Sequence, residues 1–244
     1  MKRDLLNLLL AAKQAKQITT LVTHLGNGQQ LLLLEPDGPE SPKAYGELNL
    51  TTEEAGQVTQ LRGKEKSGRL EDSELFVEVF LPPLRLLIVG AVHISQALAP
   101  MAVLAGYQVT VIDPRQAWAT ESRFPEIELR FDWPDEALKA LRPDRRTAIV
   151  ALTHDPKLDD PGLLEALKSP AFYIGALGST RTHAKRLARL ADAGLDAATL
   201  KRIHGPAGLA IGALSPAEIA LSVLAEMTAS LRDAPRLVKL EAAQ

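Results

Sequence analysis

The chain has 244 residues, 46% hydrophobic but only 4% aromatic, which is apolar material for one large or two small domains with an aliphatic core. A net charge of −2 implies no bulk attraction to nucleic acid or to an anionic membrane, and the lack of cysteine excludes disulfides, thiolate metal ligands and cysteine nucleophiles. No apolar run reaches the length of a membrane span, and Asp4 and Lys13 flank a short amphipathic start unlike a signal peptide, so the expected location is the cytoplasm.

In chain order, Asp4 to Gln17 reads as a helix with leucines on one face. Ile18 to His24 and Gln29 to Leu34 read as two strands joined at Gly26-Asn27-Gly28, a hairpin signal. Pro36 to Pro42 reads as a loop. Thr51-Thr52-Glu53-Glu54 opens a helix with a capping-box pattern, and Leu75 to Phe80 alternates like a strand. Residues 1–80 are therefore expected to form a small α+β unit, marginal as an independent core at about 80 residues. The prolines at 82 and 83 close it.

From residue 84 onward the pattern alternates strand and helix. The predicted strands are Leu86–Val89, Gln108–Ile112, Glu126–Phe131, Thr147–Leu152 and Phe172–Ile174. The predicted helices are His93–Ala105, one opening at Asp132-Trp-Pro-Asp135, Gly162–Lys168 and Arg181–Ala193. A last helix runs from the capping box Ser215-Pro216-Ala217-Glu218 to Leu231. This alternation predicts an α/β fold over residues 84–244: a Rossmann-like parallel sheet with right-handed crossovers and strand order 3-2-1-4-5. A ligand would sit beyond the carboxyl ends of the first and fourth strands.

The turn after the first of these strands carries part of a dinucleotide fingerprint. Glycine is wanted at three positions; Gly90 fills the first, while Val92 and Ser95 occupy the other two. A valine thus stands where the backbone should meet a pyrophosphate. Asp113 follows Gly90 by 23 residues, close to the spacing of about 20 for an acid that grips a ribose. Other polar residues gather at the same predicted rim: His93, Thr153-His154-Asp155, the run Gly175 to Ser179 with its glycines Gly175 and Gly178, and His204, Gly208 and Gly212. Arg181 sits in the first turn of a helix, where a cation opposes the helix dipole and a bound anion would relieve the conflict.

Each feature also has a purely structural reading. Gly90 and the run from Gly175 to Ser179 can be tight turns. Asp113 can cap the turn Asp113-Pro114-Arg115, and Asp155 can cap the next helix. Lys185, Arg186 and Arg189 read as a solvated helix face. The five histidines show no metal-ligand spacing, so no metal site made by the protein is expected.

Five blocks in uninterrupted order carry a family resemblance. They are Val89-Gly-Ala-Val-His-Ile94, Thr153-His-Asp-Pro-Lys-Leu-Asp159, Tyr173-Ile-Gly-Ala-Leu-Gly-Ser179, Ile203-His-Gly-Pro-Ala-Gly-Leu-Ala-Ile-Gly-Ala213 and Pro216-Ala-Glu-Ile-Ala220. Across residues 84–231 the chain resembles the XdhC/CoxI family, accessory factors of xanthine dehydrogenase and carbon monoxide dehydrogenase. Many members carry Gly-Ala-Gly-His at the first turn, where this chain has Val92. The Gly-Ser-Ala-Pro-Arg and Gly-Gly-Cys stretches usual in the family's N-terminal domain are absent from residues 1–84.

The resemblance implies a Rossmann-like domain that binds molybdenum cofactor (molybdopterin) as cargo, holds it for sulfuration and delivers it to a molybdenum hydroxylase apo-enzyme. It implies a chaperone more than an enzyme. Because the chain has no cysteine to carry a persulfide, a cysteine desulfurase is the expected sulfur donor, and a homodimer is a further association that stays open. The cofactor-binding candidates are then Gly90, Val92, His93, Asp113, Thr153, His154, Asp155, Gly175, Gly178, Ser179, Arg181, His204, Gly208 and Gly212. Two rival readings stay open: an NAD(P)-dependent oxidoreductase, which Asp113 favours and Val92 disfavours, and a nucleotide-binding regulatory or scaffold protein.

Overall fold

The computed structural model describes residues 2–35 and 41–234, and the chain divides into two compact units, Met1–Pro82 and Pro83–Gln244. The first unit contains α1 (Arg3–Gln14), β1 (Thr19–His24), β2 (Gln30–Leu34), β3 (Lys43–Gly46), α2 (Thr52–Gly63), β4 (Gly68–Arg69) and β5 (Leu75–Phe80). Its sheet is antiparallel, in the order β3-β2-β1-β5-β4. Strand alternation splits the apolar residues between two faces. Leu21 and Leu32, paired across the hairpin, pack with Leu5 and Leu9 of α1, while Val22 and Val77 pack with Val58 of α2. The capping box of α2 forms: the Thr51 hydroxyl accepts from the Glu54 N–H, and the Glu54 carboxylate accepts from the Thr51 N–H.

Two strands of this unit have no sequence signal. β3 is exposed along its whole length, so no burial alternation marks it, and β4 is only two residues long. Of the loop expected at Pro36–Pro42, residues 36–40 lie outside the described residues.

The second unit contains β6 (Leu84–Val89), α3 (His93–Leu104), β7 (Tyr107–Ile112), β8 (Glu128–Arg130), α4 (Pro134–Leu141) and β9 (Thr147–Ala151). It continues with α5 (Pro156–Ala166), β10 (Tyr173–Ala176), α6 (Thr180–Asp192), α7 (Ala197–Leu200), β11 (Ile203–His204) and α8 (Pro216–Leu231). All strands pair in parallel, in the order β11-β10-β9-β6-β7-β8. The sheet has six strands, against the five expected. The sixth, β11, is a two-residue strand paired to β10 at the edge, too short for any periodicity to reveal.

Helices cover both faces of this sheet. Leu86, Ile88, Val109 and Val150 pack against Leu98 and Ala102 of α3 and Val223 and Met227 of α8. Leu87, Val89 and Ile149 pack on the other face against Leu138 of α4, Leu163 of α5 and Leu190 of α6. The central strands are buried on both sides, which is why they read as continuous apolar runs. The helix expected at Gly162–Lys168 begins earlier, at Pro156, because Asp155 caps it and Pro156 occupies its first turn.

Candidate functional site

Strand order reverses between β6 and β9, which lie side by side, so the turns that follow them meet at the switch point of the sheet. Gly90 ends β6 with φ +111°, a value that side chains rarely adopt, and a Cβ there would stand 2.5 Å from Thr153 Cγ2. The Ser95 hydroxyl donates to the Gly90 carbonyl and closes the turn. Val92 is the N-cap residue of α3 and gives no side-chain cap; its half-buried side chain packs against the core. His93, at the first helical position, is exposed.

Asp113 is fully buried and already occupied. One oxygen accepts from the Ala91 N–H at 2.8 Å, and the two oxygens together accept from the Arg115 N–H, Nε and Nη2 at 2.8–3.0 Å. Burial alone would raise this carboxyl, but the hydrogen bonds from Arg115 and Ala91 outweigh it and hold it below the usual range. The carboxylate ties the β7 turn to the β6 turn. A ribose would have to displace those donors.

Thr153 works inward. Its hydroxyl donates to Asp159 Oδ1 at 2.6 Å and accepts from the Asp155 N–H at 3.0 Å. His154 is exposed with φ +62°, and Asp155 caps α5 by accepting from the Lys157 N–H at 3.0 Å. Asp159 faces Arg186 of α6 across 3.5 Å, and Arg186 Nη2 donates to the Leu177 carbonyl at 2.8 Å. Both side chains are 2% exposed. Arg186 is therefore not part of a solvated face with Lys185 and Arg189. It lies one turn from Leu190 on the inward stripe of α6, and its guanidinium is held beneath the turns that end β9 and β10.

Gly175 serves packing. A Cβ there would stand 2.7 Å from the Tyr173 ring, which runs up the same strand face over it. Gly178 precedes the α6 N-cap, Ser179, whose hydroxyl accepts from the Thr182 N–H at 3.1 Å. Arg181 is exposed in the first turn of α6, with no hydrogen bond or ion pair among the described residues. His204 packs against Tyr173, and the Gly208 N–H donates to Glu226 at 2.7 Å. Gly212 lies in an exposed turn away from these groups.

The tertiary structure thus brings together Gly90 with Thr153, Asp113 with the Ala91 amide, and His204 with Gly208 through Glu226. It leaves His93, His154, Ser179, Arg181 and Gly212 exposed. The residue pattern does not single out Arg115, Tyr173, Asp159, Arg186 or Glu226 as site residues. Asp159 and Arg186 are charged residues among charged neighbours, so only their helical phase relative to Leu163 and Leu190 signals burial. No cluster of three or more His, Asp or Glu side chains that could hold a metal occurs among the described residues. No helix among them is long and apolar enough to cross a membrane.

A parallel sheet with a glycine turn and several helix N-termini at its carboxyl-end rim defines a Rossmann-type domain. Residues 86–227 match the family model described as the XdhC Rossmann domain, and the chain belongs to the XdhC family. It is 35% identical over 153 residues to the molybdenum cofactor insertion chaperone PaoD of Escherichia coli (strain K12), a match covering 63% of this chain and 42% of that protein. It is 32% identical over 158 residues to a probable xanthine dehydrogenase subunit of Bacillus subtilis (strain 168), covering 64% of this chain and 46% of that one. The matched stretch therefore spans less than half the length of these two relatives. A similar fold occurs in the crystal structure of a xanthine dehydrogenase (BH1974) from Bacillus halodurans, with TM-score 0.68 and 23% identity over 95% of this chain and 67% of that one.

Proposed function

We propose that this chain carries molybdenum cofactor: it binds molybdopterin at the carboxyl-end rim, holds it for sulfuration and passes it to a xanthine dehydrogenase-type apo-enzyme. The observation that carries this reading is a pair of helix ends on that rim, one without a side-chain cap and one bearing a cation. The α3 N-terminus has no side-chain cap, and the α6 N-terminus bears Arg181 with no protein anion beside it among the described residues. Gly178 and Ser179 would offer amides, and Arg181 a charge, to the cofactor's phosphate. The cofactor brings its own dithiolene ligands to molybdenum, so a chain without cysteine can hold it. The same lack means that this chain cannot carry a persulfide, and a cysteine desulfurase would have to supply the sulfur. The name of PaoD supports the cargo.

The NAD(P) reading is the weaker one on two observations. Asp113 is committed to Ala91 and Arg115, and Val92 occupies the position where backbone should meet pyrophosphate. Mass spectrometry of the ligand retained by protein purified from a molybdenum-competent host tests the choice. Retained molybdopterin is expected. A bound dinucleotide, or an empty protein from such a host, would overturn the proposal.

Two variants probe the rim itself. Arg181→Ala is expected to weaken molybdopterin binding by about 1.5–3 kcal/mol, the range for hydrogen bonds to charged groups. It should leave the melting temperature of the ligand-free protein unchanged or slightly higher, because the cation opposes the helix dipole. Titration at low salt reads the affinity, and unchanged binding would place Arg181 outside the site. Val92→Gly is expected to strengthen the weak binding of NADH, followed by its fluorescence, by removing the half-buried side chain beside the α3 N-terminus. Tight NADH binding by the unaltered chain would refute that assignment of the turn.

A further inference from the structure

The parallel pairing of β10 and β11 sets His204 beside Gly175, and the His204 ring lies against Tyr173 with centroids 4.5 Å apart. Because Gly175 has no side chain, the Tyr173 ring can run along the strand and reach α8. There its hydroxyl donates to Glu226 Oε2 at 2.7 Å, and the Gly208 N–H donates to the same oxygen at 2.7 Å. Glu226 is only 6% exposed, and the oxygen that takes both donors acts as an acceptor. Burial, and then the adjacent Glu226 charge, push the Tyr173 phenol well above its usual range, so the phenol keeps its proton and remains the donor.

The second carboxylate oxygen, Oε1, lies 3.4 Å from His204 Nδ1. The contact is an ion-pair distance and not an aligned hydrogen bond, but a carboxylate can only accept, and its charge favours hydrogen on the nitrogen that faces it in the neutral ring. Nε2 then holds the lone pair. It has no hydrogen-bond partner among the described residues, and 28% of the side chain is exposed. An anion is a poor match for this position, because Glu226 sits behind the ring and a deprotonated oxygen has no hydrogen to give. A neutral N–H donor fits.

We propose that Glu226 fixes His204 as its Nδ1–H tautomer, so that Nε2 accepts a hydrogen bond from the N–H edge of a planar heterocycle bound at the rim. Glu226 is a positioning residue in this arrangement, and His204 is the ligand contact. The ligand class rests on the proposed carriage of molybdopterin, whose pterin ring supplies such an edge. The anionic end and the heterocyclic end of one ligand would then be recognised by different parts of the rim.

The test uses the full chain, labelled with 15N in histidine, and long-range 1H–15N spectra at pH 8.5, with His204 assigned through His204→Ala. The wild type is expected to show the Nδ1–H pattern. In Glu226→Gln the amide oxygen keeps Tyr173 and Gly208 while the NH2 turns to Nδ1, so the Nε2–H pattern is expected. A 6-substituted pterin monophosphate should shift the wild-type Nε2 resonance and bind both variants at least about tenfold more weakly, the loss of roughly one hydrogen bond. His204→Ala leaves the Tyr173 and Gly208 hydrogen bonds to Glu226 in place and keeps the binding comparison readable should Glu226→Gln not fold. An Nε2–H tautomer in the wild type would overturn the inference, as would pterin binding that neither moves Nε2 nor weakens in the variants. A wild type with the Nδ1–H tautomer that binds no pterin would overturn the ligand class together with the proposed carriage, and the spectra would locate the failure there.

Discussion

Replacing Arg186 by alanine is expected to cost about 3–5 kcal/mol of folding stability, the range for removing one member of a buried ion pair. The loss is large because Asp159 stays behind, 2% exposed, with only Thr153 to support it, and because the Leu177 carbonyl loses its donor. Burial already holds the Asp159 carboxyl above its ordinary range, against the opposing pull of Thr153 and Arg186. Without Arg186 it rises further. A carboxyl whose folded pKa exceeds its unfolded value penalises the folded state above that pKa, and the penalty fades as pH falls through it. The deficit of the variant, measured by urea unfolding, should therefore be greatest at pH 8 and shrink as the solution is acidified. A deficit independent of pH would assign the cost to lost packing. The double variant Arg186→Met, Asp159→Leu should recover most of the stability, since an apolar pair of similar volume replaces a buried ion pair at little or no cost.

Asp113→Ala is expected to lose about 2–3 kcal/mol at pH 7, because a buried Ala91 N–H is left without an acceptor and Arg115 without its partner. The sign with pH is opposite to that of Arg186→Ala. The folded pKa of Asp113 lies below the ordinary value, so its contribution is complete above the unfolded pKa of about 3.9 and is lost as pH falls through the folded value. Wild type and variant should therefore converge below about pH 4. Chemical denaturation across that window checks the expectation, and a gap that persists in acid would mean that the hydrogen bonds do not depend on the charge of the carboxylate.

Asp113 and Arg186 both owe their roles to partners on neighbouring elements. Asp113 has the spacing of a ribose-gripping acid, and spacing is all that a chain of letters offers. Its partner, the Ala91 amide, sits at the end of the neighbouring strand and comes within 2.8 Å only when β6 and β7 pair in register. Arg186 stands between Lys185 and Leu187 in a helix with few apolar residues, so composition alone places it in solvent. Helical phase turns it inward instead, where a second buried charge on α5 meets it.

What rests on local pattern can be read from the residue order alone. Apolar runs bounded by glycine and proline mark the longer buried strands, capping residues mark the start of α2 and α8, and strand–helix alternation gives the parallel sheet with its glycine turn after β6. These signals are legible because hydrogen bonding and burial within one element are set by residues a few positions apart. Long-range packing settles the rest: which glycines make room for the protein's own side chains, as Gly175 does for Tyr173, and which charges are buried. It is packing, too, that makes Tyr173, His204 and Gly208 converge on the carboxylate of Glu226. Glu226 lies 53 residues from Tyr173 and 18 from Gly208 along the chain. Such contacts are created by strand pairing and helix packing between distant segments, and no periodicity encodes them.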